Sequence, residues 1–83
     1  LTGADEHFCA GADISEMTKR TILQSREILA ESCMVVREMQ AGPKPVVAAV
    51  EGTCYGAGVS LAAACDVVVS AETAKYSCAF GKV

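Results

Sequence analysis

The segment Val46-Val-Ala-Ala-Val50 is apolar at every position rather than at alternate ones, the pattern of a strand covered on both faces of a parallel sheet. Glu51-Gly52-Thr53 breaks it, and Gly56-Ala-Gly-Val-Ser-Leu-Ala-Ala-Ala-Cys65 then reads as a short helix whose small residues pack closely on the sheet, with Asp66 ending it. A second apolar run, Val67-Val-Val69, is expected to form the next buried strand. A polar turn at Ser70–Thr73 and a further strand near Tyr76–Ala79 follow. Strand and helix alternating within one unit indicate α/β architecture.

Upstream, Ile22, Leu29, Cys33 and Val36 recur at helical intervals between Thr21 and Met39, while Glu27, Glu31 and Glu38 lie mostly off that stripe. This predicts an amphipathic helix, ended by Gly42-Pro43-Lys44-Pro45 because proline lacks the N–H that the helical ladder needs. Met17–Arg20 is compatible with helix or with a mobile loop. Residues 1–13 read as the end of a strand running into a turn, and Asp13-Ile-Ser-Glu16 has capping-box spacing with Asp in the cap position. A helix beginning immediately after Ala12 would aim its free N–H groups back toward that turn.

The 83 residues are 52% hydrophobic, rich for so small a unit, and small domains bury a limited fraction of their surface. Because the chain opens on Leu1-Thr2-Gly3 and stops at Gly81-Lys82-Val83 within a patterned region, we expect residues 1–83 to be part of a single larger core domain. The net charge of −3, without a basic block, excludes a nucleic-acid partner. Five cysteines, odd in number and never spaced as CxxC, form neither a disulfide framework nor a metal site, so no metal is expected. Most read as small buried hydrophobes in a reducing compartment, which points to the cytoplasm. No apolar run approaches the length that crosses a bilayer, and no membrane partner is expected. His7 reads as a surface residue of a polar turn.

Two turns of small residues carry the chemistry: Cys9-Ala-Gly-Ala-Asp13 and Gly56-Ala-Gly58. Alone, the second is as readily a tight strand-to-helix turn as a ligand site. It has neither the glycine spacing of a dinucleotide fingerprint nor the Gly-Lys-Ser/Thr of a P-loop, and Ser60 lacks a nucleophile-elbow frame. Taken together, each turn exposes backbone N–H groups at a helix start, where partial positive charge favours an anion. Two such donors converging on one oxygen stabilise an enolate or a tetrahedral oxyanion, and small side chains let a substrate approach the backbone.

The stretches His7-Phe-Cys-Ala-Gly-Ala-Asp-Ile-Ser-Glu-Met17 and Lys44-Pro-Val-Val-Ala-Ala-Val-Glu-Gly-Thr-Cys-Tyr-Gly-Ala-Gly-Val-Ser-Leu-Ala-Ala-Ala-Cys-Asp66 closely resemble the enoyl-CoA hydratase/isomerase, or crotonase, family. The resemblance implies a crotonase-like ββα superhelix of which this chain is an internal fragment, assembled as a homotrimer or dimer of trimers. It implies an acyl-CoA thioester as substrate, with coenzyme A part of that substrate and no separate cofactor. By position, Ala12 and Ala57 would supply the oxyanion-hole N–H groups. Asp13, Ile14 and Ser15 would line the coenzyme A path with them, mostly through backbone atoms. The family usually has glycine where Ala57 stands, a departure that a backbone donor tolerates. Asp66 resembles the family's structural acid, a cap or buried anchor.

Hydratases of the family place one glutamate at the position of Ser60 and another at a position matching Phe80, and this chain has neither. A serine hydroxyl is too weakly basic to replace a tuned carboxylate. The ending Ala79-Phe-Gly-Lys-Val83 resembles isomerase-like members that use an Asp or Glu slightly further on, so the acid/base is expected beyond Val83. The resemblance thus favours isomerisation of an enoyl-CoA through an enolate held by Ala12 and Ala57. Hydration of 2-enoyl-CoA and a non-catalytic acyl-CoA-binding role are the alternatives.

Overall fold

The computed structural model describes residues 1–78. In chain order the elements are α1 (Ile14–Met17), α2 (Ile22–Ala41), β1 (Val47–Val50), β2 (Thr53–Tyr55), α3 (Ala57–Ala63), β3 (Val67–Ser70) and β4 (Lys75–Ser77). The strands form two parallel pairs, β1 with β3 in the register Val47↔Val67, and β2 with β4 in the register Thr53↔Lys75. Each strand of one ββα turn therefore stacks on its counterpart in the next. An earlier turn adds to both stacks. The Leu1 amino group donates to the Val47 carbonyl, Ala49 N–H donates to the Leu1 carbonyl, and Cys9 forms a parallel bridge with Cys54. This stacking is a superhelix of ββα units.

Two strands are less covered than their sequences predict. Along β1, Ala48 and Val50 are buried while Val47 and Ala49 are open, so this strand alternates. All of β3, expected buried, is exposed. The reason is layering: α3 sits against β2, and α2 buries none of its residues, so no helix among the described residues lies over the other faces. The predicted stripe of α2 is likewise open, with only Ser25, Val36 and Met39 half-buried. Cys54 is buried and Cys9 and Cys65 are half-buried, but Cys33 and Cys78 are exposed, against the expectation of mostly buried thiols; all five are free.

The core is small and local. Phe8, Ala48, Val50, Cys54 and Ala62 form it, with Cys9, Val59, Leu61, Cys65 and Ala74 packed against them. It lies where the first turn, β1, β2 and α3 meet, under the candidate site. Residues 1–13 contribute no named strand, only the bridge at Cys9. The break predicted at Glu51–Thr53 is instead a tight turn at Gly52, with φ +63°, leading directly into β2.

Helix ends follow from local chemistry. At α2 the Thr21 side chain accepts the Gln24 N–H while Gln24 reaches back to the Thr21 N–H, a complete capping box. At α1 the Asp13 carboxylate accepts the Ser15 N–H and hydroxyl instead of forming a box with Glu16. α3 ends at Ala63, two residues before the predicted Cys65, with the Ala64 N–H closing onto Ser60 and Ala62 carbonyls. Asp66 follows and anchors β1: its Oδ2 accepts the Val46 N–H at 2.7 Å, and its own N–H donates to the Val46 carbonyl at 2.8 Å. Asp66 is thus the anticipated anchor, although an exposed one. Of the strand predicted near Tyr76–Ala79, Tyr76 and Ser77 lie in β4; Ala79 and Phe80 lie outside the described residues. No helix among the described residues is long and apolar enough to cross a membrane.

Candidate functional site

The second turn is set by Gly56, whose φ of 56° and ψ of −119° are open only to glycine. Its N–H donates to the Ser77 carbonyl at 2.8 Å, which ties the start of α3 to the end of β4. Ala57 is the first residue of α3, a position whose N–H has no acceptor within the helix. The first turn is set by Gly11, at φ +94°. Ala12 follows it and leads into Asp13, the N-cap of α1. Among the described residues, the N–H groups of Ala12 and Ala57 donate to no protein acceptor.

The structure brings these two turns together. A Cβ added at Gly11 would lie 2.8 Å from the Tyr55 carbonyl oxygen and 3.5 Å from the Ala57 nitrogen, so the first turn approaches the second too closely for a side chain at this position. Between the turns, Phe8 and Cys9 N–H donate to the Thr53 carbonyl at 3.1 and 3.0 Å, and the Tyr55 N–H donates to the Cys9 carbonyl at 2.9 Å. Both unpartnered donors thus stand on backbone that is cross-linked and cannot drift apart independently. Two such donors can hold one anionic oxygen.

The other residues singled out from the sequence are placed as follows. Asp13 and Ser15 are committed to each other: Asp13 Oδ1 accepts the Ser15 N–H at 3.0 Å and its hydroxyl at 2.7 Å. The Ser15 hydroxyl, then its N–H, hold the Asp13 carboxyl below its usual value, with smaller help from the Glu16 N–H and the Arg20 charge. Ile14 opens α1 with its side chain exposed. Ser60 is exposed on α3, and among the described residues its hydroxyl has no hydrogen-bond partner. Burial pushes the Cys54 thiol up, which keeps it protonated and inert beneath the site. Among the described residues, no cluster of His, Cys, Asp or Glu is arranged to hold a metal ion.

One residue is more involved than its sequence suggests. His7 Nδ1 accepts the Thr53 N–H at 3.1 Å. No local pattern announces this contact, because it joins residues far apart in the chain.

Comparison with known proteins matches the chain to one family. The family model for enoyl-CoA hydratase/isomerase matches residues 1–83. The chain is similar to a crotonyl-CoA hydratase of Syntrophomonas wolfei, 42% identical over 77 residues that cover 92% of this chain and 30% of that protein. It is also similar to a human mitochondrial methylglutaconyl-CoA hydratase, 37% identical over 68 residues, covering 82% of this chain and 20% of that protein. Among solved structures, it superposes on an enoyl-CoA hydratase from Polaromonas sp. JS666 with a TM-score of 0.85 at 35% identity, covering 98% of this chain and 33% of that one. The fold is therefore the crotonase-like α/β fold, and the chain spans between a fifth and a third of the length of these relatives. With the family model covering the whole sequence, the chain belongs to the enoyl-CoA hydratase/isomerase family.

Proposed function

We propose that this chain carries the thioester-holding part of an enzyme that transforms an enoyl-CoA, with the Ala12 and Ala57 N–H groups receiving the thioester oxygen as it becomes an enolate. The observation that carries this reading is the close approach of the two turns, each of which holds a backbone N–H that has no protein acceptor among the described residues. Asp13, Ile14 and Ser15 would border the coenzyme A portion, Ile14 through its exposed side chain and the other two through backbone atoms. Coenzyme A enters as part of the substrate, and the enzyme needs no separate cofactor.

Hydration of 2-enoyl-CoA is the reaction that the relatives favour, since those described above are named hydratases. Water adds its oxygen to C3, the electron pair moves to the thioester oxygen, and a proton then arrives at C2. A carboxylate outside the described residues must handle that water, because Ser60 stands where hydratases of the family keep one. Ser60 favours a second reading, in which a proton leaves C2 of a 3-enoyl-CoA and returns at C4 through the same enolate. We include a trimer or dimer of trimers and a cytoplasmic location in the proposal.

The test uses the full-length protein in heavy-oxygen water with 2-enoyl- and 3-enoyl-CoA, followed by mass spectrometry. Hydration yields a 3-hydroxyacyl-CoA carrying solvent oxygen. Interconversion of the two enoyl thioesters without oxygen uptake replaces hydration by isomerisation. Binding with neither turnover nor exchange of the C2 protons rejects both and leaves a non-catalytic acyl-CoA-binding protein.

A further inference from the structure

His7 stands outside the pair of N–H donors, yet the segments bearing them meet through it. Its Nδ1 accepts the Thr53 N–H at 3.1 Å. The other face of the same peptide segment is held as well, by the Phe8 and Cys9 N–H groups on the Thr53 carbonyl and by Tyr55 N–H on the Cys9 carbonyl. These bonds form one ladder that starts at His7 and ends two residues before Ala57.

A tight turn begins that ladder. Asp5 and Glu6, immediately before His7, have φ of 54° and 64°, and the His7 N–H donates to the Ala4 carbonyl at 3.2 Å, the pattern of a type I′ turn, which has positive φ at both central residues. Opposite them, a Cβ added at Gly52 would lie 2.7 Å from His7 Nδ1, so the imidazole closes directly onto glycine backbone. Phe8 and Cys9 already pair the two segments. The turn delivers His7 to the start of that pairing, where its ring adds a side-chain bond to Thr53 beside the backbone bonds already made.

The geometry points to His7 as a positioning residue of the thioester site: by fixing Thr53, it sets the turn carrying Ala12 against the turn carrying Ala57. This rests on the oxyanion-hole reading above. Preorganised donors act only when held close to the position of the developing charge, so small displacements weaken them strongly.

The test compares three variants of the full-length protein. His7→Asn keeps an acceptor near the place of Nδ1, His7→Leu removes it, and His7→Gln carries it one bond too far. For the Leu and Gln variants kcat is expected to fall roughly tenfold or more with KM within about twofold, while the Asn variant recovers to within about threefold of wild type. Hydrogen exchange of the peptide 52–58 is expected to accelerate in the Leu and Gln variants and to return toward wild type in the Asn variant. If His7→Leu does not fold, the Gln–Asn pair decides. Unaltered exchange, unaltered kcat, or equal losses in the Gln and Asn variants overturn the inference. If wild type neither turns over enoyl-CoA nor exchanges the C2 protons, the thioester reading fails, and with it a catalytic meaning for His7; the exchange pattern then reports only whether His7 holds the turns.

Discussion

A Cβ added at Gly58 would lie 2.5 Å from the Cys9 carbonyl oxygen and 2.9 Å from the Cys9 Cβ, so α3 rests directly on the backbone of the first turn. Gly58 is buried in the first turn of α3, and what it meets is backbone rather than a side chain that could swing away. Gly58→Ala must therefore push α3 from Cys9, at a cost of about 1–3 kcal/mol in a denaturant melt. The same push parts Ala57 from Ala12. Turnover per folded molecule should fall at least roughly tenfold, and a variant with wild-type kinetics would mean that the two turns need not touch.

Asp66 separates anchoring from proton transfer. Its carboxylate accepts the Val46 N–H, and its own N–H donates to the Val46 carbonyl, so it closes the end of the ββα turn on the start of β1. Asp66→Ala should cost about 1 kcal/mol by leaving that amide to water, whereas Asp66→Asn keeps an oxygen acceptor and most of the stability. Neither should change kcat per folded molecule, measured at saturating enoyl-CoA. A proton carrier would lose activity in both.

What could be read from residue order was whatever depends on near neighbours. The run at Val46–Val50 announces β1, the small residues from Gly56 announce α3, and Gly11 and Gly56 mark the turns that present Ala12 and Ala57. The capping box at Thr21 and Gln24 has the same three-residue spacing as Asp13 and Glu16, so spacing alone does not say which pair closes. β2 is too short, at Thr53–Tyr55, and too close to glycines for its pattern to stand out. Burial was misjudged for β3 because coverage depends on which elements pack above it, and the bond from His7 to Thr53 joins positions that no periodicity relates.

Asp13 gives the first turn an acid limit. The Ser15 hydroxyl and N–H hold its carboxyl below the ordinary 3.8, so the folded state favours the ionised form. The contribution to ordering α1 is full above the unfolded value and is lost as pH falls through the lowered one. The protection of the α1 amides, measured against the rate of an unstructured peptide at the same pH, should stay flat from neutrality down to the ordinary carboxylate range and fall only below it. Asp13→Asn should remove that step, and loosening at higher pH would contradict the capping role.

Ser60 occupies the position of a family carboxylate without its basicity. Its hydroxyl is exposed and, among the described residues, unpaired, while its carbonyl accepts the Ala64 N–H at 3.0 Å as any helical residue would. Ser60→Ala should leave kcat/KM within about twofold of wild type, because a neutral hydroxyl supplies little general-base catalysis. A loss of about tenfold or more would make Ser60 part of the chemistry.

The sharpest test of the site replaces one N–H. Proline lacks that group, and the first position of a helix is where proline is best tolerated, since the N–H there has no helical partner. Ala57 is that position in α3, and the residue before it, Gly56, is held outside the α region that proline disfavours in its predecessor. Ala57→Pro should fold with a melting curve near wild type. If the Ala57 amide stabilises the enolate, kcat should fall by about 10²–10³-fold, the loss expected for one oxyanion donor, and exchange of the C2 protons of a saturated acyl-CoA should slow in parallel. Ala57→Ser keeps the N–H and should retain most activity. Equal turnover in the proline and serine variants would remove Ala57 from the oxyanion hole, because proline both lacks the amide hydrogen and sets its Cδ where the bound oxygen would sit.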